Sequence, residues 1–313
     1  MTWESGLRAE GKTFLVTGAS AGIGYFVAEQ LAATGATVVL GCRDAGKADL
    51  AVQAIRARVP DARLRCVRLD LADLTSLPAT VDALGVDTLD AVVLNAGIAL
   101  SGPDRRLSPQ GHELIFATNH LGHFALVAQL APILTATAGS RVVTVGSFAA
   151  RSERLDLADL QSEHDYRPKS TYGRSKLAQM LFGFELDRRL RAQGAGVASI
   201  VAHPGGALDS LTPSRPPLFV RTTAQYLRGL PAAVVVQGKE AGARSIVRAV
   251  LDPGITGGQL WGPRVFRGTR GKPHLETPRA HMTDLDTAAE LWTASAALTG
   301  VDPLLRPRAL ARF

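Results

Sequence analysis

A tyrosine and a lysine stand four residues apart in Tyr172-Gly173-Arg174-Ser175-Lys176. In a helix this spacing puts phenol and ammonium on one face, where the cation favours the phenolate and readies the hydroxyl for proton transfer. Chance produces the same pair in many helices, so its meaning depends on its company. Three polar sites supply that company, each just past an apolar run: Asp70-Leu71 after Leu64–Leu69, Asn95-Ala96-Gly97 after Leu89–Leu94, and Ser147 after Arg141–Val145. Singly, each reads equally well as an N-cap or a turn. Together they line one edge, the edge at which open α/β sheets bind ligands.

A fourth feature opens the first helix. Thr17-Gly18-Ala19-Ser20-Ala21-Gly22-Ile23-Gly24 follows directly on the apolar run Thr13–Thr17. Glycines there let the backbone turn tightly and approach a pyrophosphate, which free N–H groups and the positive helix end hold. Glycine also marks ordinary turns; the strand–helix junction is what makes this one a candidate dinucleotide site. The next strand ends in Gly41-Cys42-Arg43-Asp44. A carboxylate at such a strand end accepts from a ribose 2′-OH, whereas an arginine pairs with a 2′-phosphate. Arg43 directly follows the apolar run and Asp44 reads as the N-cap of the following helix. NADP(H) is therefore favoured over NAD(H), with Ser20 adding a hydroxyl to the same phosphate. The alternative is a solvated Arg43 and a ribose-binding Asp44.

These sites need a frame, and the apolar pattern supplies one. Strand-like runs at Thr13–Thr17, Thr37–Leu40, Leu64–Leu69, Leu89–Leu94 and Arg141–Val145 alternate with helical stretches at Ile23–Ala33, Asp44–Arg58 and Leu74–Leu84. Near-continuous β-branched runs suit parallel strands covered on both faces. The rhythm predicts an α/β fold, a doubly wound parallel sheet of Rossmann type, in a single catalytic domain over residues 1–302. Helical Ser170–Gln193, a strand Val197–Ala202, helical Glu240–Leu251, a short strand near Gly258–Trp261 and helical Asp284–Leu298 follow. Two segments break the rhythm, Arg151–Lys169 and Gly205–Gly238. Loops of such length are usually functional, and the second, with its apolar Leu208, Leu211, Leu218, Phe219, Val220, Tyr226 and Leu227, is expected to form a mobile lid over an apolar substrate; the alternative is an oligomer contact or a helix packed on the core. Its Arg215, Arg221 and Arg228 are expected to stay solvated or to meet an anionic substrate group. Residues 303–313 read as a loosely attached tail.

With 46% hydrophobic and 20% charged residues among 313, the chain is too apolar for disorder and can bury a large core. The net charge of +7 raises the question of a polyanionic partner. The arginines are scattered, however, and the cluster Arg264, Arg267, Arg270, Lys272 has only Phe266 interleaved, so it reads as a solvated rim and no nucleic-acid partner is expected. Cys42 and Cys66 are too few for a disulfide scaffold and read as small buried apolar residues. His120 and His123 lack a third ligand at a sensible spacing, so no metal is expected. The N-terminal residues carry no apolar h-region, and the longest apolar stretch, Phe124–Leu134, is broken by Gln129 and Pro132. A cytoplasmic protein without a membrane span is expected.

Taken in order, these pieces resemble the short-chain dehydrogenase/reductase family, and within it a retinol-dehydrogenase-like bacterial subgroup. The resemblance rests on Thr17–Gly24, Asp70-Leu71, Asn95-Ala96-Gly97, Asn119-His120-Leu121-Gly122-His123-Phe124, Ser147, Tyr172-x3-Lys176 and His203-Pro204-Gly205, and it covers nearly the whole chain. Trp261-Gly262-Pro263 and Ala289-Glu290-Leu291-Trp292 also look like that subgroup. The resemblance implies that Tyr172 exchanges a proton with a carbonyl or alcohol oxygen while hydride moves to or from the nicotinamide. It implies that Lys176 binds the nicotinamide ribose, that Ser147 hydrogen-bonds the reacting oxygen, and that Asn119 holds a water linking Lys176 to solvent. Asp70 and Leu71 would contact adenine, and Asn95, Ala96 and Gly97 the cofactor ribose. A homodimer or homotetramer built on the long helices is also implied.

Two departures stand out. Leu94 occupies a position where the family usually has Asn, and Asp209 stands where it commonly has a Thr five residues after Pro204. Asp209 can accept from the carboxamide, but a carboxylate repels nearby phosphates. The leading reading is an NADP(H)-dependent oxidoreductase acting on an apolar small molecule. A silent cofactor-binding sensor or scaffold would show a broken proton-transfer set, and a sugar-nucleotide epimerase a different glycine spacing.

Overall fold

A computed structural model describes residues 8–304 of the chain. Six parallel strands, β1 (Thr13–Thr17), β2 (Thr37–Cys42), β3 (Arg63–Arg68), β4 (Ala91–Leu94), β5 (Arg141–Val145) and β6 (Ala198–Ala202), form the sheet. Two short strands, β7 (Ala207–Leu208) and β8 (Gln237–Gly238), pair apart from it. Then β9 (Leu260–Val265) joins β6 in parallel, and β10 (Arg270–Glu276) closes that edge antiparallel, giving the order β10-β9-β6-β5-β4-β1-β2-β3. The order reverses between β1 and β4, the point at which such sheets open a crevice past their carboxyl ends.

Side-chain alternation along the strands builds two cores. Phe14, Val16, Val38 and Leu40 face α1 (Gly22–Ala32) and α2 (Ala45–Arg56). Leu15, Val39, Val92 and Val142 face the opposite layer, as a period of two requires. That layer contains α3 (Leu77–Asp82), then a kinked helix in which α4 (Leu114–Phe116) passes through a π turn, Ala117–Leu121, into α5 (Gly122–Ala136), and α6 (Pro168–Ala192). The helix Leu114–Ala136 is long and apolar enough to cross a membrane, and 78% of its most apolar stretch is buried in the fold, as befits a core helix. In the insertion, α7 (Thr223–Gly229) stands between two 3-10 turns, and α8 (Lys239–Leu251) joins the α1 layer. Finally α9 (Leu285–Thr299) lies on α6, with Trp292 against Phe124 and Phe182 at centroid distances of 5.1 and 5.7 Å.

Four sequence expectations change. β3 is an exposed edge strand, which its three arginines Arg63, Arg65 and Arg68 suit. Cys66, on that edge, is exposed, whereas Cys42 is buried. The helix expected over Leu74–Leu84 divides into a 3-10 turn, Leu74–Ser76, and α3. β10 has no apolar alternation to announce it, and its Pro273 is tolerated because the strand lies at an edge. Most of the 303–313 tail lies outside the described residues.

Candidate active site

The fully buried Thr17 organises the turn after β1. Its Oγ1 accepts from the backbone N–H groups of Asn95 and Ala96, both at 2.9 Å. Its proton is left for the Val93 carbonyl at 3.2 Å and His123 Nε2 at 3.0 Å. Asn95 Nδ2 donates to the Thr17 carbonyl at 2.8 Å, so this side chain braces the turn from behind. Gly18 has a left-handed φ of 67°, and a Cβ on Gly24 would stand 2.4 Å from the Gly18 carbonyl oxygen. No side chain caps α1, and its first turn holds no acidic residue. Free N–H groups thus face the sheet edge, a surface that fits a diphosphate. Ile23 packs on the core beside them.

Tyr172 and Lys176 lie on the first turns of α6. Lys176 is buried, and its Nζ donates to the Val145 carbonyl at 2.9 Å and to Gln179 Oε1 at 2.7 Å. Burial pushes its ammonium down to about 8. Asn119 sits in the π turn, a distortion common at functional sites. Its Oδ1 accepts from Ile98 N at 2.8 Å, and its Nδ2 donates to the Ile98 carbonyl at 3.0 Å and Ser175 Oγ at 2.9 Å. A Cβ on Gly97 would lie 3.2 Å from Asn119 Oδ1 and 3.7 Å from Lys176 Nζ, which places these three residues together. Ser147 caps the 3-10 turn Phe148–Arg151, its Oγ accepting from Ala149 N at 3.2 Å. The start of α6 presses on that turn: a Cβ on Gly173 would come within 2.9 Å of the Ala149 carbonyl oxygen. The half-buried Tyr172 and Ser147 are thereby held on adjoining backbones.

The remaining candidates spread along the same edge. Arg43 is exposed just past β2, and Asp44 caps α2 through Lys47 N at 2.9 Å. Burial pushes the Cys42 thiol up to about 11, and the Ser20 side chain acts in the opposite direction. Asp70 Oδ1 accepts from Ala72 N at 3.0 Å, and Leu71 is buried against Gly122. The Pro204 carbonyl accepts from Gln237 Nε2 at 2.9 Å, and Gly205 N donates to His203 Nδ1 at 3.2 Å. Asp209, 66% exposed at its side chain, pairs with Lys239 Nζ at 2.5 Å, a partner the sequence reading did not include. Arg215 overturns its expectation: it is buried in a bidentate pair with Glu29 at 2.6 and 2.9 Å and also reaches Glu240 at 2.8 Å.

The family model described as short chain dehydrogenase matches residues 12–212. The chain belongs to the short-chain dehydrogenase family. This short-chain dehydrogenase is 36% identical to a polyprenol dehydrogenase of Mus musculus over 297 residues, 93% of this chain and 84% of the relative. It is 33% identical to retinol dehydrogenase 13 of Homo sapiens over 312 residues, 96% of this chain and 89% of the relative. Among solved structures, an uncharacterised protein of Mycobacterium paratuberculosis is 32% identical, with a TM-score of 0.76 over 96% of this chain and 98% of that one. A short chain dehydrogenase of Burkholderia cenocepacia solved with NADP is 27% identical, with a TM-score of 0.58 over 79% and 93% of the two chains. The dehydrogenase is thus an oxidoreductase that interconverts alcohol and carbonyl groups with a nicotinamide cofactor.

Sequence reasoning missed two groups of this dehydrogenase's residues. Gln179 was legible, since three residues on from Lys176 is the same helix face. His123 was read as packing or bonding locally; it does so, joining Thr17 to the Asn119 carbonyl at 3.0 Å. Burial pushes His120 and His123 both down to about 3, so both are neutral at pH 7. His120 bonds Ser295 of α9 at 2.7 Å. Lys239 and Glu29 carried no local signal, because their partners lie 30 and 186 positions away in the chain.

Proposed function

We propose that this chain is an NADP(H)-dependent dehydrogenase/reductase of an apolar alcohol–carbonyl pair, with Tyr172 as general acid and base. The observation that carries the reading is Lys176, a buried ammonium one turn beyond Tyr172 and held at about 8, beside Asn119 and Gly97. A cation so placed favours the phenolate through which a proton passes to or from the substrate oxygen. Ser147 donates to the same oxygen and stabilises its developing charge. The first turn of α1 and Gly18, Gly22 and Gly24 hold the diphosphate, Asp70 and Leu71 the adenine, and Arg43 with Ser20 the 2′-phosphate. Ala96, Gly97, Pro204 and Gly205 line the nicotinamide half. The bound cofactor supplies or accepts the hydride.

The apolar substrate class is supported by the relatives' names, which refer to polyprenol and retinol, both apolar alcohols. The exposed Val220, Tyr226, Leu227, Leu230 and Val234 support it too, since they leave apolar surface on the segment that follows His203-Pro204-Gly205 in the chain. In this reading residues 220–236 form the lid. The test is NADPH oxidation by the purified chain against apolar aldehydes and ketones, repeated with Tyr172→Phe. Loss of a positioned general acid costs on the order of 10²–10⁴-fold, with NADPH binding retained. Turnover within a few-fold of the unmodified chain in Tyr172→Phe would overturn the mechanism.

A further inference from the structure

The basic cluster Arg264, Arg267, Arg270, Lys272 divides in the fold. Arg270 turns to the carbonyls of Ala233 and Val234. Arg264 and Arg267 instead face a cleft of about 380 Å³ between the β9–β10 hairpin, the 3-10 turn Phe148–Arg151 and residues 277–282. Arg151 and Arg279 line the same cleft. Four guanidinium groups therefore meet one carboxylate, Glu276: its Oε2 accepts from Arg151 at 3.1 Å, while its Oε1, 3.1 Å from His203 Nε2, makes no hydrogen bond. Arg264, Arg267 and Arg279 have no carboxylate within ion-pair reach among the described residues.

The cleft is built around a fixed guanidinium. Arg151 lies 3.9 Å from the Phe148 ring centroid and donates to the Arg267 carbonyl at 2.6 Å, which fastens the hairpin tip to the turn that Ser147 caps. Burial lowers the Arg151 guanidinium from its ordinary value; Glu276 offsets part of this, and the neighbouring Arg279 lowers it again. Arg264, Arg267 and Arg279 are exposed around it, and like charges gathered on one concave surface repel one another unless an anion joins them.

We propose that this cleft binds a phosphorylated small molecule, with Arg264, Arg267 and Arg279 holding the phosphate. Guanidinium forks match phosphate oxygens two at a time. The volume lies within the ~300–1,000 Å³ of small-ligand sites and exceeds what one phosphate fills. Leu260, Leu275 and Met282 give the rest of the molecule an apolar wall. The site is separate from the diphosphate turn, because β9 and β1 are four strand spacings apart in the sheet, about 19 Å. The phosphate belongs either to the head of a phosphorylated substrate or to a separate effector.

The full chain saturated with NADPH, titrated calorimetrically with inorganic pyrophosphate, tests this. One saturable site is expected, weakening as salt rises. Its affinity should fall about tenfold or more in Arg264→Ala/Arg267→Ala and again in Arg279→Ala. Arg63→Ala, on β3 at the far edge, should leave it unchanged. In steady state, inhibition competitive with the carbonyl substrate assigns the phosphate to a substrate head, and non-competitive inhibition assigns it to an effector; both support the site. Absence of saturable binding, or an equal loss in Arg63→Ala, overturns it.

Discussion

Lys176 Nζ donates to Gln179 Oε1 at 2.7 Å, and Gln179 Nε2 donates to the Leu94 carbonyl at 2.9 Å, so one amide ties the ammonium on α6 to the end of β4. The Leu94 side chain is apolar, and it is the backbone carbonyl of this residue that takes the bond. Desolvation holds Lys176 at about 8 against an ordinary lysine value of 10.5. An acceptor favours the charged form, so Gln179 opposes that depression.

Two substitutions at 179 separate tuning from packing. Gln179→Leu removes the acceptor and should move the alkaline limb of kcat/KM for carbonyl reduction below pH 8. Gln179→Glu adds a carboxylate and should move it above 8; shifts on the order of one pH unit are expected. Folding stability should rise with pH from about 8 toward 10.5, because in that window the unfolded chain still binds the proton that folded Lys176 has lost. Limbs that move together, or not at all, would show that Gln179 does not tune Lys176.

Arg43 stands exposed past β2 with Asp44 committed to capping α2. A guanidinium that pairs with the 2′-phosphate contributes roughly 1.5–3 kcal/mol, about tenfold to a hundredfold in affinity. Arg43→Ala should therefore weaken NADPH binding by that factor and leave NADH within about twofold. Equal dissociation constants for the two reduced cofactors in the unmodified chain would contradict the assignment.

The contrast between Arg43 and Arg215 shows what a sequence can carry. Features set by local period were legible: the strand–helix rhythm, the Thr17–Gly24 junction, and Tyr172 and Lys176 one turn apart. So was the Asp44 cap, whose bond spans three residues. Features set by packing between distant segments were not. Arg215 looks solvated in a Pro-rich stretch, yet its partner Glu29 is on α1, 186 residues earlier. β10 shares its register with β9 through Pro273 and Pro263, neither a strand former, and the π turn that places Asn119 leaves no compositional mark.

The exposed Asp209 and the partly buried Lys239 form a pair at the base of α8, near where Gly242 of that helix packs on Pro204 and Ile23. With the cofactor bound as proposed, Lys239 would supply the counter-charge that a carboxylate near its phosphates requires. Lys239→Ala should raise the NADPH dissociation constant several-fold, in keeping with ~0.2–1 kcal/mol for exposed pairs. Asp209→Thr added to it should restore binding to within about twofold. A double variant as weak as Lys239→Ala alone would mean that the ammonium itself grips the cofactor.

Arg215 fixes the insertion to the body of the fold. Its guanidinium takes both oxygens of Glu29, which is fully buried, and Tyr25 OH donates to Glu29 Oε2 at 2.9 Å. Burial and the Glu29 charge together raise the Tyr25 phenol above its ordinary value, so it stays a donor throughout the working range. Arg215→Ala strands a carboxylate in the core and should cost about 3–5 kcal/mol in urea unfolding. Arg215→Met/Glu29→Leu removes both charges and should cost less than Arg215→Ala alone, because no unpaired ion remains. Hydrogen exchange of the free protein should then show two behaviours inside one insertion: protection near Arg215 and faster exchange over 220–236, where Val220, Leu227 and Val234 are exposed. A loss below about 1 kcal/mol in Arg215→Ala, or uniform exchange across 205–238, would mean that the pair does not divide a fixed stake from a moving cover.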